Sequence, residues 1–170
     1  MATNFIYPPD GALRRYYTEG DFLDGQSAPL PHPPPDAADL TIATFFAMPD
    51  WAKLLLAIRD RLVGPLGLRT GSEADLRPPT RQEIIDASYP GIFAVHSATP
   101  DEVILGANDR HLDFRVSVLR SVEQDLVAIS TWVHPHNLAG RLYLASVYPF
   151  HRIIVARCLA NASRLGLVLS

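Results

Sequence analysis

The 170-residue sequence contains one cysteine, Cys158, and one lysine, Lys53. A single cysteine excludes a disulfide framework within the chain, so we expect a reducing, cytoplasmic location. The other 14 basic residues are arginines, and against 18 acidic residues the formal net charge is −3. This charge balance argues against nucleic acid as a partner, because nucleic-acid binding depends on basic patches.

The sequence also has no uninterrupted apolar run long enough to cross a membrane. The longest candidate, 138–159, contains Arg141, His151, Arg152 and Arg157, and each arginine costs about 2.5–3.5 kcal/mol at the bilayer centre. Residues 1–10 lack the basic and apolar regions of a signal peptide. We therefore expect no membrane partner.

Sequence motifs for the common cofactor sites are absent as well. There is no glycine-rich phosphate loop, no nucleophile elbow, no Cys-x-x-Cys pair and no metalloprotease helix. Hydride transfer and phosphoryl transfer therefore lack support, and no cofactor or metal is predicted.

The apolar content is sufficient for a core, with 48% hydrophobic residues and a mean hydropathy of +0.07. Such a composition excludes general disorder and indicates one globular domain. We interpret residues 1–21 as an irregular N-terminal arm and residues 22–170 as a single domain. Five prolines in the segment 29–35 indicate a stiff connector within that domain.

Helical periodicity appears in three places. Asp36 can cap a short helix that reaches about Ala47, and a second apolar stripe at 51–62 predicts a helix that ends at Gly64-Pro65. The stretch 67–90 has no clear period and is interpreted as a loop with one short strand. A long, deeply packed helix is predicted from Asn137 to about Arg164.

A period of two begins after Gly91 and predicts four strands with short turns between them. Short links favour an antiparallel sheet, since parallel strands need long crossovers. Together with the helices this predicts the α+β class. The predicted strands are Ile92–Ser97, Glu102–Gly106, His111–Leu119 and Leu126–His134.

Short strings spread along the chain carry a family resemblance. They are Pro49-Asp50-Trp51, 56–63, Gly67-Leu68, 102–106, 109–115, His136-Asn137, 140–144 and 149–155. Over about residues 22–160 they resemble the family called domain of unknown function 2867. The order of elements is similar to the helix-grip fold of the START and Bet v 1 superfamily. That resemblance implies a curved antiparallel sheet wrapped around the long C-terminal helix, with a cavity between them.

The strongest candidate for chemistry is the polar side of the third predicted strand, which carries His111, Asp113 and Arg115. An aspartate that orients a histidine is typical of acid–base catalysis near neutral pH. The alternative is a solvated outer face with an Asp113–Arg115 ion pair, because Leu112 and Phe114 already point to the core.

Further polar and aromatic residues are candidates for ligand binding. His134 and His136 could share a metal, but no third ligand is assignable, so capping of the last helix by His136 or Asn137 is the better interpretation. Arg141 and His151 lie on the last helix and could meet an anionic group. The candidate ligand-binding residues are Trp132, His134, Arg141, Tyr143, Tyr148 and His151.

Three hypotheses of function follow, of which the weakest is an interaction or accessory subunit that docks through 29–35 and 70–89. The first is a protein that binds a small hydrophobic or aromatic molecule between the sheet and the C-terminal helix, in a biosynthetic role. The second is a cofactor-independent acid–base enzyme in the same cavity, since helix-grip relatives include cyclases, hydratases and lyases of natural-product pathways. A homodimer is left open as the assembly.

Overall fold

The computed structural model describes residues 2–46, 77–89 and 93–168. Within them the strands form one antiparallel sheet in the order β1-β2-β6-β5-β4-β3. The chain is therefore α+β, as the sequence predicts. The strands are β1 (Thr3–Asn4), β2 (Phe22–Pro29), β3 (Ala94–Ala98), β4 (Glu102–Asn108), β5 (Leu112–Ser121) and β6 (Leu126–Pro135).

The helices of the described residues confirm two of the sequence predictions. α1 (Ala37–Thr41) begins after Asp36, whose carboxylate accepts a hydrogen bond from the Asp39 amide, and it continues as a π-helix (Ile42–Phe46). α3 (Leu138–Val168) begins after Asn137, whose side chain accepts from the Gly140 amide at 3.1 Å. The helix predicted at 51–62 lies outside the described residues.

Within residues 77–89, the described part of the loop predicted at 67–90, the chain forms a short helix that the sequence interpretation did not include. α2 (Arg81–Ile85) begins with a capping box in which Thr80 and Glu83 bond to each other's backbone amides. Such a box is a helix-start signal that the sequence Thr80-Arg-Gln-Glu83 displays.

One face of the sheet, the helix face, packs against the second half of α3. Val116, Val118 and Ile129 of the sheet meet Val155 and Leu159 of the helix in a single apolar cluster. Cys158 is buried there too, and its burial raises the pKa of the thiol to about 11. No helix within the described residues is long and apolar enough to cross a bilayer.

The first half of α3 is less buried than the sequence predicts. The side chains of Leu138, Leu142, Phe150 and Ile153 are each at least half exposed. Deep packing is therefore confirmed only for the second half of the helix, between Val155 and Ala162.

The opposite face of the sheet, the arm face, is covered by residues 5–16, which include a 3-10 helix (Ala12–Tyr16). Tyr7 and Leu13 are buried and pack with Ile104 and Trp132. The Tyr7 hydroxyl donates to Glu102 and accepts from the Leu13 amide. Burial and the bond to Glu102 raise the pKa of Tyr7 well above its usual range.

β5 is consequently covered on both faces. Arg115 is 6% exposed and Ser117 is fully buried, although both belong to the polar side of the strand. The interpretation of that side as a solvated face with an Asp113–Arg115 ion pair is therefore wrong. Alternation reveals which residues share a face, but it cannot reveal that the N-terminal residues return to cover the polar one.

Candidate functional site

A pocket of about 420 Å³ lies where the N-terminal residues, β2 and α3 meet. Its walls combine apolar and aromatic side chains with two arginines and two aspartates, so the lining is more polar than that of most small-molecule sites. The lining residues are Asn4, Phe5, Ile6, Tyr7, Arg14, Tyr17, Asp21, Leu23, Asp24, Gly25 and Arg152.

Arg14 is the less satisfied of the two arginines in the pocket. Its guanidinium lies 5.3 Å from the centre of the Tyr17 ring. The one hydrogen bond that it makes to the described part of the chain is a long one, 3.4 Å, to the Tyr7 carbonyl. Its Nε is buried without a hydrogen-bond partner. Within the described residues Arg14 forms no ion pair.

Arg152, a residue of α3, lines the side of the pocket opposite Arg14. It donates to Asp24 Oδ1 at 3.3 Å, to the Tyr148 hydroxyl at 3.1 Å and to Asn4 Oδ1 at 2.6 Å. These bonds join the helix to β1 and β2. The second carboxylate oxygen of Asp24 is buried and has no hydrogen-bond partner in the described part of the chain.

Asp21 links the pocket to the arm face of β6. Its carboxylate, 4% exposed, accepts from His134 Nδ1 at 2.6 Å, from Trp132 Nε1 at 2.8 Å and from the amide and hydroxyl of Thr18. Burial acts to raise the pKa of Asp21, but these hydrogen bonds outweigh it and hold the pKa below its usual range.

His134 and His136 stand side by side, each with its own aspartate. Their ring centres are 5.5 Å apart, and His136 Nε2 lies 3.3 Å from Asp113 Oδ2. His134 stacks on Trp132 at 6.3 Å. Because Asp21 occupies Nδ1 of His134, the Nε2 atom is the one that can exchange protons; it has no hydrogen-bond partner within the described residues.

Arg115 is held among neutral groups. Its guanidinium donates to the carbonyls of Ala107 and Phe114 and to Asn108 Oδ1. The rings of Tyr16 and Trp132 lie 5.0 and 6.0 Å away. This arrangement ties β5 to β4 and to the arm, and it leaves Arg115 little access to a ligand.

In the structure the three predicted catalytic residues have different partners and do not form one cluster. His111 Nδ1 lies 3.2 Å from the Asn137 amide group at the start of α3, whereas Asp113 meets His136 and Arg115 meets the aromatic rings. Asp113 and Arg115 are on the arm face, so they do not line the space between the sheet and α3. Trp132 and His134 share that face with them.

The remaining predicted ligand-binding residues are on α3, on the other side of the sheet. Tyr148 is half-buried against the Phe22 ring and accepts from Arg152. Burial, with a smaller contribution from Arg152, lowers the pKa of His151, while Asp24 opposes the shift. Arg141 is exposed and Tyr143 half-buried in the first turns of the helix. Neither lines the pocket.

Sequence reasoning missed Arg14, Asp21, Asp24 and Arg152 as members of one site. Arg14 and Asp21 belong to the segment interpreted as an irregular arm, and no motif or period marks them. Within the described residues, no three histidine, cysteine or acidic side chains converge as a metal site.

Residues 17–158 match a family model described as protein of unknown function (DUF2867). Comparison with curated proteins and with solved structures finds no match. Arg14 and the other pocket residues before position 17 precede the matched segment. Because the match extends over more than four fifths of the sequence, the chain belongs to the DUF2867 family.

Proposed function

We propose that this protein binds a small molecule with an apolar or aromatic body in the pocket between the N-terminal residues, β2 and α3. The observation that carries the proposal is the pocket itself, whose volume of about 420 Å³ is within the range of small-molecule sites. Ile6, 88% exposed at its wall, and Tyr17, 38% exposed, offer apolar surface that the fold leaves uncovered.

We place the protein in the cytoplasm and its fold in the helix-grip class of the START and Bet v 1 superfamily. The antiparallel sheet and the long C-terminal helix packed on one of its faces support that placement. The single buried cysteine is consistent with a reducing compartment.

Naphthamide, a neutral aromatic probe, tests the binding function. We expect saturable binding with one molecule per chain, measured by calorimetry. Ile6→Ser should weaken it about five- to tenfold, because the substitution removes roughly 1–1.4 kcal/mol of apolar contact. The matched control is Ile85→Ser, which changes an exposed isoleucine on α2, away from the pocket. Absence of saturable binding, or equal losses in the two variants, would contradict the proposal.

The Asp21–His134 pair supports a second candidate function, cofactor-independent acid–base catalysis of the cyclase, lyase or hydratase type. Asp21 lines the pocket and accepts a hydrogen bond from His134 Nδ1 at 2.6 Å, whereas His134 itself lies next to the pocket and is not part of its lining. In that tautomer Nε2 of the neutral imidazole can take a proton from an acidic carbon and return it. In this proposal Asp21 orients the histidine and His134 transfers the proton, the roles that the sequence analysis gave to Asp113 and His111.

Exchange of the methylene protons of phenylpyruvate with deuterated water tests this chemistry. We expect the protein to accelerate the exchange, and His134→Gln to reduce the acceleration by roughly 10²–10⁴. His32→Gln is the control, since His32 also contacts an aspartate, but that aspartate, Asp125, does not line the pocket, whereas Asp21, the partner of His134, does. Equal rates in the two variants would exclude His134 as the base.

A further inference from the structure

The electrostatics of the pocket restrict the class of molecule it can hold. Arg152 is neutralised by Asp24, and Asp21 is saturated by four hydrogen bonds. Arg14 is different, because within the described residues it has no carboxylate partner and one long hydrogen bond. A half-buried guanidinium without a counter-ion is costly to desolvate unless a ligand supplies the negative charge.

The geometry around Arg14 favours a flat ligand. The guanidinium lies over the Tyr17 ring, and its N–H groups form a planar fork. A planar carboxylate matches that fork with two parallel hydrogen bonds. The rest of the ligand would extend along Phe5 and Ile6, the apolar wall of the same pocket.

The two aspartates set the charge that the ligand can carry. Asp21 and Asp24 line the pocket together with Arg14 and Arg152, so the four formal charges cancel. A single negative charge on the ligand can form an ion pair with Arg14. A second negative charge would have no free cation to pair with and would be repelled by the two aspartates. The pocket therefore discriminates against phosphate dianions.

We propose that the ligand is an aromatic monocarboxylate whose carboxylate pairs with Arg14. This inference rests on the function proposed above and adds the chemical class of the ligand. It also assigns Arg14 as the residue that selects for that class.

Three probes with the same ring system test the inference: naphthoate, neutral naphthamide and dianionic naphthyl phosphate. By calorimetry, we expect the wild-type protein to bind naphthoate at least about tenfold more tightly than either of the others, as a charge-assisted bidentate contact predicts. Arg14→Met should abolish that preference and leave naphthamide affinity within about twofold. Arg14→Lys, which keeps the charge but loses the fork, should retain part of it.

Arg15→Met is the matched control. Arg15 is the adjacent residue, it is exposed, and it contacts Ser97 and the Tyr16 ring instead of the pocket. The preference should survive this substitution, and circular dichroism should show that all three variants remain folded. The inference is wrong if naphthamide binds but naphthoate binds no more tightly. It is also wrong if Arg14→Met and Arg14→Lys both still bind naphthoate more tightly than naphthamide. In either case the proposed binding function stands. If no probe binds, both are wrong.

Discussion

Replacing Asp21 with asparagine is expected to destabilise the protein by about 2–4 kcal/mol, which corresponds to a melting temperature lower by roughly 5–15 °C. The carboxylate, 4% exposed, accepts from the side chains of Trp132 and His134 and from two groups of Thr18. An asparagine keeps one acceptor oxygen and replaces the other with an NH2 group, which faces the donors that bonded to that oxygen. The charged acceptor is lost, and His134 must change tautomer or leave its Nδ1–H without an acceptor.

The same substitution should change how stability depends on pH. The hydrogen bonds to Asp21 hold its pKa below the usual value of 3.8, so its charged form stabilises the fold. That contribution is complete above the unfolded-state pKa, and it is lost as the pH falls through the lower folded-state pKa. The stability gap between wild type and variant should therefore be constant from neutral pH down to about 4 and close in more acidic solution.

Urea unfolding at a series of pH values measures both effects. Asp10→Asn makes the same charge change in the N-terminal segment at an exposed site without hydrogen-bond partners among the described residues, and it should leave stability within about 0.5 kcal/mol of wild type. Equal stability of the two variants would show that Asp21 does not link the N-terminal residues to β6.

The sheet and the last helix were predictable because their signals are local. Alternation over 102–135 gives the strands, short turns make them antiparallel, and Asn137 caps α3 as the sequence indicates. The start of α1 follows from Asp36 in the same way. The place of β2 beside β6 depends on a non-local contact, because this pairing joins residues about one hundred positions apart.

The candidate site was predictable only in part. Trp132 and His134 were singled out, and both contact Asp21, but Asp21 itself stands in a segment without any periodic pattern. A hydrogen bond between residues 113 positions apart depends on how the N-terminal residues cross the sheet, and no local propensity encodes that path. For the same reason the sequence left open a solvated face for Arg115, an alternative that is wrong because the arm buries the residue.

The β5 backbone, together with the stem of Arg115, explains why a glycine is required on the neighbouring strand. Gly106 pairs directly with Arg115 across β4 and β5. A Cβ atom at position 106 would lie 2.2 Å from the Phe114 carbonyl oxygen and 2.7 Å from Cδ of Arg115. Both distances are far inside van der Waals contact, so the arginine can cross β4 only over a glycine.

Gly106→Ala is therefore expected to cost about 3 kcal/mol or more, because a backbone oxygen of β5 must move and no side-chain rotation relieves the contact. The displaced Arg115 stem would also weaken its bonds to Ala107 and Asn108. Chemical denaturation followed by tryptophan fluorescence measures the loss. Trp132, 6.0 Å from the guanidinium, should change its emission in the folded state as well.

Gly20→Ala separates steric contact from backbone strain. Nothing lies within 4 Å of a Cβ built at Gly20, but its φ is +94°, so alanine there should cost about 1 kcal/mol from conformation alone.

The double variant Gly106→Ala/Arg115→Ala removes the contact with the arginine and keeps the contact with the Phe114 oxygen. We expect it to recover none of the lost stability. A Gly106→Ala protein no less stable than Gly20→Ala would show that β4 and β5 can separate without cost and that the arginine does not need the glycine.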